Sequence, residues 1–209
     1  MASKLKLIYG IYGAGGSGLS ISFFIKNNPN YKKIIKNIYF IDDNENVLKK
    51  KSINGFPIID YNQFKLIKNF EKRILISIND IKIKKKLFLT VKSDKLKFWN
   101  YYDESSKLNS NNFKNNSSYF APFTLISDSA EIGLCFSCNI YSYVEHESKI
   151  GNFVSFAPGV KCNGNVIIKD NVYVGTGVII NNGTNSKKLT IGEKIEILEK
   201  SKKNKDKKK

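Results

Sequence analysis

The chain has 209 residues, 41% hydrophobic and 25% charged, enough apolar content for one large or two modest cores, which excludes global disorder. Its net charge of +17 invites a nucleic-acid reading, yet only Arg73 is an arginine, and base-edge reading leans on bidentate arginine. Residues 200–209 alone, with seven lysines and one aspartate, carry +6 of that charge, so neither nucleic-acid binding nor, without a run of about 18 apolar residues, membrane insertion is expected.

The opening stretch MASKLKLIYGIYGAGG breaks into glycines where a secretory signal would need a longer apolar centre, so no leader is expected. Residues 6–12 form an apolar run that predicts a strand, and residues 19–26 predict a helix. A second strand is expected over 37–41, stopped by Asp42, Asp43 and Asn44. Ile58 and Ile59, then residues 73–78, supply further strands, and residues 82–89 a basic helix. This alternation predicts a small parallel sheet within residues 1–102. Residues 103–118, rich in Ser, Asn and Lys, predict a polar linker.

Beyond the linker the period changes. Steps of six from Phe120 reach Ile126, Ile132, Cys138, Val144, Ile150, Phe156, Cys162, Ile168, Val174 and Ile180, all apolar. Four residues past these positions the chain favours small or β-branched side chains, such as Ala130, Ser142, Val154, Val160 and Val166. Two residues past them it is mostly polar or turn-forming, as at Asp128, His146, Pro158 and Gly164. Simple strand alternation would make that third set apolar too. A hexapeptide repeat explains all three sets: each hexad is one short side of a triangular coil, with the large apolar residue on the axis. Five extra residues then precede Ile191 and Ile197, where the spacing resumes. The coil domain is expected over 119–199, and residues 200–209 are expected to be a disordered tail. Cys138 and Cys162 fall on inward positions, and with Cys135 they make an odd number. That is no disulfide framework, and a reducing, cytoplasmic address is expected.

Two motifs carry chemistry. Gly13, Gly15 and Gly18 fit GxGxxG between a strand and a helix, where backbone N–H groups and a helix N-terminus can cradle a diphosphate. The bland alternative is a tight strand–helix turn without a ligand. Asp42 and Asp43, ending the next strand, stand where an acidic pair can bind a ribose or base. The platform is about half a dinucleotide fold, which suits a mononucleotide or nucleotide sugar better than NAD. The second motif surrounds the only histidine, His146, flanked by Glu145 and Glu147. A neighbouring carboxylate raises imidazole basicity, as a general base near neutral pH requires, although an exposed polar turn residue fits the same pattern.

Three segments make the chain resemble a known family: IYGAGGSG at residues 11–18, FIDD at 40–43, and VEHESKIGNFVSFAPGVKCNGNVIIKDNVYVGTG at 144–177. It resembles the bacterial UDP-4-amino-sugar N-acetyltransferases of the bacillosamine and perosamine type. These are grouped with the sialic acid O-acetyltransferase family, within the left-handed β-helix superfamily of hexapeptide-repeat acyltransferases.

The resemblance implies a Rossmann-like α/β domain for the UDP-amino-sugar, followed by a left-handed parallel β-helix that binds acetyl-CoA, assembled as a homotrimer in glycan biosynthesis. It implies Gly15, Gly16 and Ser17 at the diphosphate, and Asp42 and Asp43 near the uridine. His146 corresponds to the catalytic base, Glu147 to its supporting carboxylate, and Gly164 to the glycine whose N–H faces the thioester carbonyl. Ser155 and Thr176 fall on CoA-contact positions, and no metal is implied. Relatives often carry histidine at the position of Ser17 and can carry it at that of Ser155, and their closing coil differs from residues 191–209 here. Two alternatives therefore stay open: sugar O-acetylation of the sialic acid type, and nucleotide-sugar binding without acyl transfer.

Overall fold

The computed structural model describes residues 6–108, 116–184, 189–191 and 196–197. The first domain opens with β1 (Lys6–Tyr12), whose last five residues are buried, and α1 (Gly16–Asn27), which buries Gly18, Ile21, Ser22 and Ile25 against it. Then follow β2 (Ile38–Ile41), the short α2 (Glu45–Leu48), β3 (Ser52–Ile53) and β4 (Phe56–Ile59). The domain closes with α3 (Tyr61–Leu66), β5 (Phe70–Ile76), α4 (Ile81–Ser93) and β6 (Lys97–Phe98). Local signals set these boundaries. Asp60 caps α3 in a capping box with Gln63, and the Asp80 carboxylate accepts from the Ile83 N–H to start α4.

The sheet order is β3-β4-β2-β1-β5-β6, parallel throughout except for the β3–β4 pair. The centre is the β1–β5 pairing, registered from Lys6 opposite Phe70 to Tyr12 opposite Ile76. The strand expected over 73–78 thus starts three residues earlier and ends two earlier, because pairing with all of β1 governs its length.

The second domain is a left-handed parallel β-helix. One face, covered by the first domain, stacks Tyr101–Tyr102, Tyr119–Phe120, Ser137–Cys138, Ser155–Phe156, Tyr173–Val174 and Glu196–Ile197. A second face stacks Lys107–Leu108, Leu125–Ile126, Tyr143–Val144, Lys161–Cys162 and Ile179–Ile180. A third carries Glu131–Ile132, Lys149–Ile150, Val166–Ile168 and Leu189–Ile191. Each inward residue of the six-step series is buried, in one continuous core. The pairings Ile191 with Ile168 and Ile197 with Val174 show the spacing resuming after the insertion.

The polar linker over 103–118 is corrected by these pairings. The coil begins at Tyr101, and Tyr102 and Leu108 pack against its core. Both lie on the six-residue grid counted back from Phe120, but Lys114 breaks that grid and hides the first coil in the sequence. Residues 109–115 and the lysine-rich stretch 200–209 lie outside the described residues.

Most corners, though not those at Ser105 and Ser129, turn through a left-handed residue three places past an inward one. Gly159 and Gly177 occupy this position, but so do Phe123, Cys135, Tyr141, Glu147, Phe153, Asn165 and Asn171. A non-glycine residue there costs about 1 kcal/mol or more, so the stacked coils must impose the conformation.

Candidate active site

The glycines of the β1–α1 turn are of two kinds. A Cβ at Gly13 would meet Ile78, and one at Gly18 would strike the Gly13 carbonyl, so these two permit tight strand–helix packing. Gly15 and Gly16 are exposed, with nothing near a Cβ built on either. They open the N-terminus of α1, which has no side-chain cap and no acidic residue in its first turn. Helix polarity and free backbone N–H groups therefore face outward there, as an anion requires.

Ser17 faces the β-helix. Burial pushes the Tyr119 phenol well up, and a hydrogen bond with Ser17 works against that push. The glycine turn is thus seated on the covered face, a contact that the sequence pattern does not reveal.

Asp42 and Asp43 do sit beside the turn, but both brace it. The Asp42 carboxylate accepts from the Ala14 N–H at 2.9 Å and the Asn44 N–H at 3.0 Å. Asp43 accepts from the Tyr12 hydroxyl and from the Tyr61 N–H. Burial and Asp43 together push the Tyr12 phenol far up, keeping it a donor. Tyr12 and Tyr61 stack with centroids 5.3 Å apart, forming an aromatic floor next to the acidic pair.

His146 lies at the corner between the second and third faces, exposed, two residues past Val144. One coil further along, Gly164 stacks beneath it, and the Asn165 N–H donates to the His146 carbonyl at 3.0 Å. A Cβ at Gly164 would lie 2.5 Å from His146 Cε1 and 2.6 Å from Nε2. Only glycine lets the imidazole lie over this backbone. Among the described residues neither the Gly164 N–H nor the His146 ring makes a hydrogen bond within the chain. A proton acceptor and an uncommitted N–H donor are therefore neighbours, the minimal set for acyl transfer. Glu147 follows His146 in the left-handed corner, its N–H bonded to Ser129 Oγ at 2.9 Å.

The two positions expected to contact CoA fall elsewhere. Thr176 is exposed on the corner between the covered and second faces, one face away from His146. Ser155 is a correction. It is 2% exposed on the covered face, and its Oγ accepts from Lys84 Nζ at 2.8 Å, so its hydroxyl serves the domain interface.

The third face begins at Lys149, three residues past His146, and bears an open groove of about 520 Å³ lined by Glu131, Lys149, Lys169 and Asp170 among others. No cluster of His, Cys, Asp or Glu suited to a metal exists among the described residues. None of their helices is long and apolar enough to cross a membrane.

Comparison with known proteins identifies the family. Residues 9–91 match the family model for the PglD N-terminal domain. The chain is 34% identical over 188 residues to GDP-perosamine N-acetyltransferase from Escherichia coli O157:H7, covering 88% of this chain and 83% of that one. It superposes on WeeI from Acinetobacter baumannii AYE with a TM-score of 0.78 at 32% identity, covering 90% of this chain and 87% of that one. The acetyltransferase domain of PglB from Neisseria gonorrhoeae FA1090, solved in complex with acetyl coenzyme A, shares the fold. Its TM-score is 0.71 at 19% identity, over 83% of this chain and 82% of that one. The chain belongs to the bacillosamine- and perosamine-type sugar N-acetyltransferases of the hexapeptide-repeat superfamily.

Proposed function

We propose that the protein transfers an acetyl group from acetyl-CoA to the amine of a nucleoside-diphosphate-linked 4-amino sugar, with His146 as general base. The observation that carries this reading is the His146–Gly164 pair, in which the imidazole lies over a backbone whose N–H is uncommitted. His146 takes the proton the sugar amine loses as it attacks the thioester carbon. The Gly164 N–H donates to the oxygen on which charge develops, and the thiol of CoA departs with a proton. Glu147 supports His146 in this scheme. The diphosphate rests at Gly15, Gly16 and Ser17, with the nucleoside beside Asp42 and Asp43, and Thr176 borders the CoA path.

The resemblance read from the sequence favours a UDP-linked sugar, whereas the relative from Escherichia coli is named for a GDP-linked one. The base is therefore the first variable to test. We also infer a homotrimer with active sites between subunits. Phe123 and Tyr141 stack at 5.0 Å with 57% and 61% exposure, and Leu125 and Ile179 expose apolar surface on the adjoining second face. Light scattering should return the mass of three chains.

A thiol-release assay across UDP- and GDP-linked amino sugars tests the whole reading. Free CoA should appear with one of them, and His146→Ala should lower kcat by about 10²–10⁴ while leaving the fold intact. Release of thiol with a sugar hydroxyl as acceptor would favour O-acetylation. Binding of nucleotide sugar without thiol release would leave a binding protein only.

A further inference from the structure

We propose that Lys84 is a positioning residue that fixes how the nucleotide domain sits on the β-helix, and thereby how the glycine turn is aimed; the catalytic part of this inference rests on the function proposed above. Lys84 projects from α4 and is fully buried, at 0% exposure. Its ammonium donates to Ser137 Oγ at 2.9 Å and to Ser155 Oγ at 2.8 Å. No ion pair involving Lys84 exists among the described residues, and the titratable group that faces it is the Cys135 thiol.

Such an arrangement is poor stabilisation. An ammonium taken from water without a carboxylate loses hydration that two hydroxyls replace only in part, and a well-packed apolar side chain would cost less. What the ammonium supplies is direction. Ser137 and Ser155 are partners on neighbouring rungs of the covered face, and Tyr119 is the next rung along. Tyr119 is the residue that Ser17 meets. Three successive rungs are therefore gripped by the first domain, one from the start of α1 and two from α4. The apolar clusters shared by the two domains hold them together without direction, whereas hydrogen bonds at separate rungs fix the rotation of the α1 N-terminus against the coil. An apolar side chain at 84 would fill the space without selecting that rotation.

The test uses the full-length protein with Lys84→Met and Lys84→Arg. Lys84→Met should melt no lower than the parent, yet lose at least tenfold in kcat/KM for the nucleotide sugar, with KM for acetyl-CoA within twofold. Lys84→Arg, which keeps the two hydrogen bonds to serine, should recover most of that loss. Amide exchange reads the same contact without substrate: in Lys84→Met, residues 81–93 should exchange at least tenfold faster while β1 and β2 keep their protection. Parental kinetics and parental exchange in Lys84→Met would overturn the proposal. A lower melting temperature with uniformly faster exchange, unrescued by arginine, would reduce Lys84 to an ordinary core residue. If the parent releases no thiol with any sugar, the functional reading fails, and the exchange pattern still decides the positioning role.

Discussion

His146 and Gly164 are eighteen residues apart, one full turn of the coil, and the absence of a side chain at 164 lets the ring lie where it does. Gly164→Ala tests this directly. His146 is exposed, so the ring can swing aside from the new methyl group with little cost to folding. The melting temperature should stay within a few degrees, while kcat falls tenfold or more because base and oxyanion donor no longer share one locus. The spacing of eighteen is legible in the sequence. The bracing work of Asp42 and Asp43 is not, because their partners, the Ala14 N–H and the Tyr12 hydroxyl, are joined only by the crossover from β1 to β2. Ser155 is misplaced from sequence for a similar reason. Its partner Lys84 lies 71 residues away, on a helix whose other lysines mask it as part of a basic surface.

Among the elements, the short coil strands contribute two or three residues each, so the β-helix depends on its axial stack. Phe136 occupies a position four residues past Ile132 where the repeat favours small side chains, yet it is fully buried. Its ring meets Phe120 at 6.0 Å and Phe156 at 5.1 Å, both edge-on, so an aromatic column replaces the usual small corner residue. Phe136→Ala should cost about 3–5 kcal/mol, measured by chemical denaturation, because the neighbouring coils cannot close the void. The six-residue period makes most of this domain readable, since each coil repeats the same burial. The first coil escapes because Lys114 interrupts the apolar series between Leu108 and Phe120. The left-handed corners at Phe123, Tyr141 and Phe153 escape as well, since no local propensity marks a bulky residue for positive φ.

Across the whole molecule the two domains share their cores. One cluster joins Tyr9, Ile11 and Phe40 of the sheet to Tyr101, Tyr119 and Ala121 of the coil, and another joins Phe88 to Cys135 and Phe153. Three buried thiols couple this packing to pH. Burial pushes Cys135 and Cys162 up to about 12 and raises Cys138 as well. In the unfolded chain these thiols lose protons near their ordinary value of 9.0, while the folded chain retains them. Stability from this source is complete below pH 9 and is lost as pH rises toward 12. Lys84 acts in the opposite sense. Burial lowers it to about 8 from 10.5, so the unfolded chain binds its proton more tightly and stability gains as pH rises between those values. Denaturation at stepped pH should show a net decline above pH 9, steeper in Lys84→Met because the opposing gain is gone.

The most direct test of the account is a crystal structure of the protein with CoA and the nucleotide amino sugar that supports thiol release. The account predicts the sugar nitrogen about 2.6–3.2 Å from a His146 ring nitrogen, with the CoA sulfur beside the Gly164 N–H and the diphosphate at Gly15, Gly16 and Ser17. A sugar amine lying beyond reach of His146, or a diphosphate seated away from the α1 N-terminus, would contradict it.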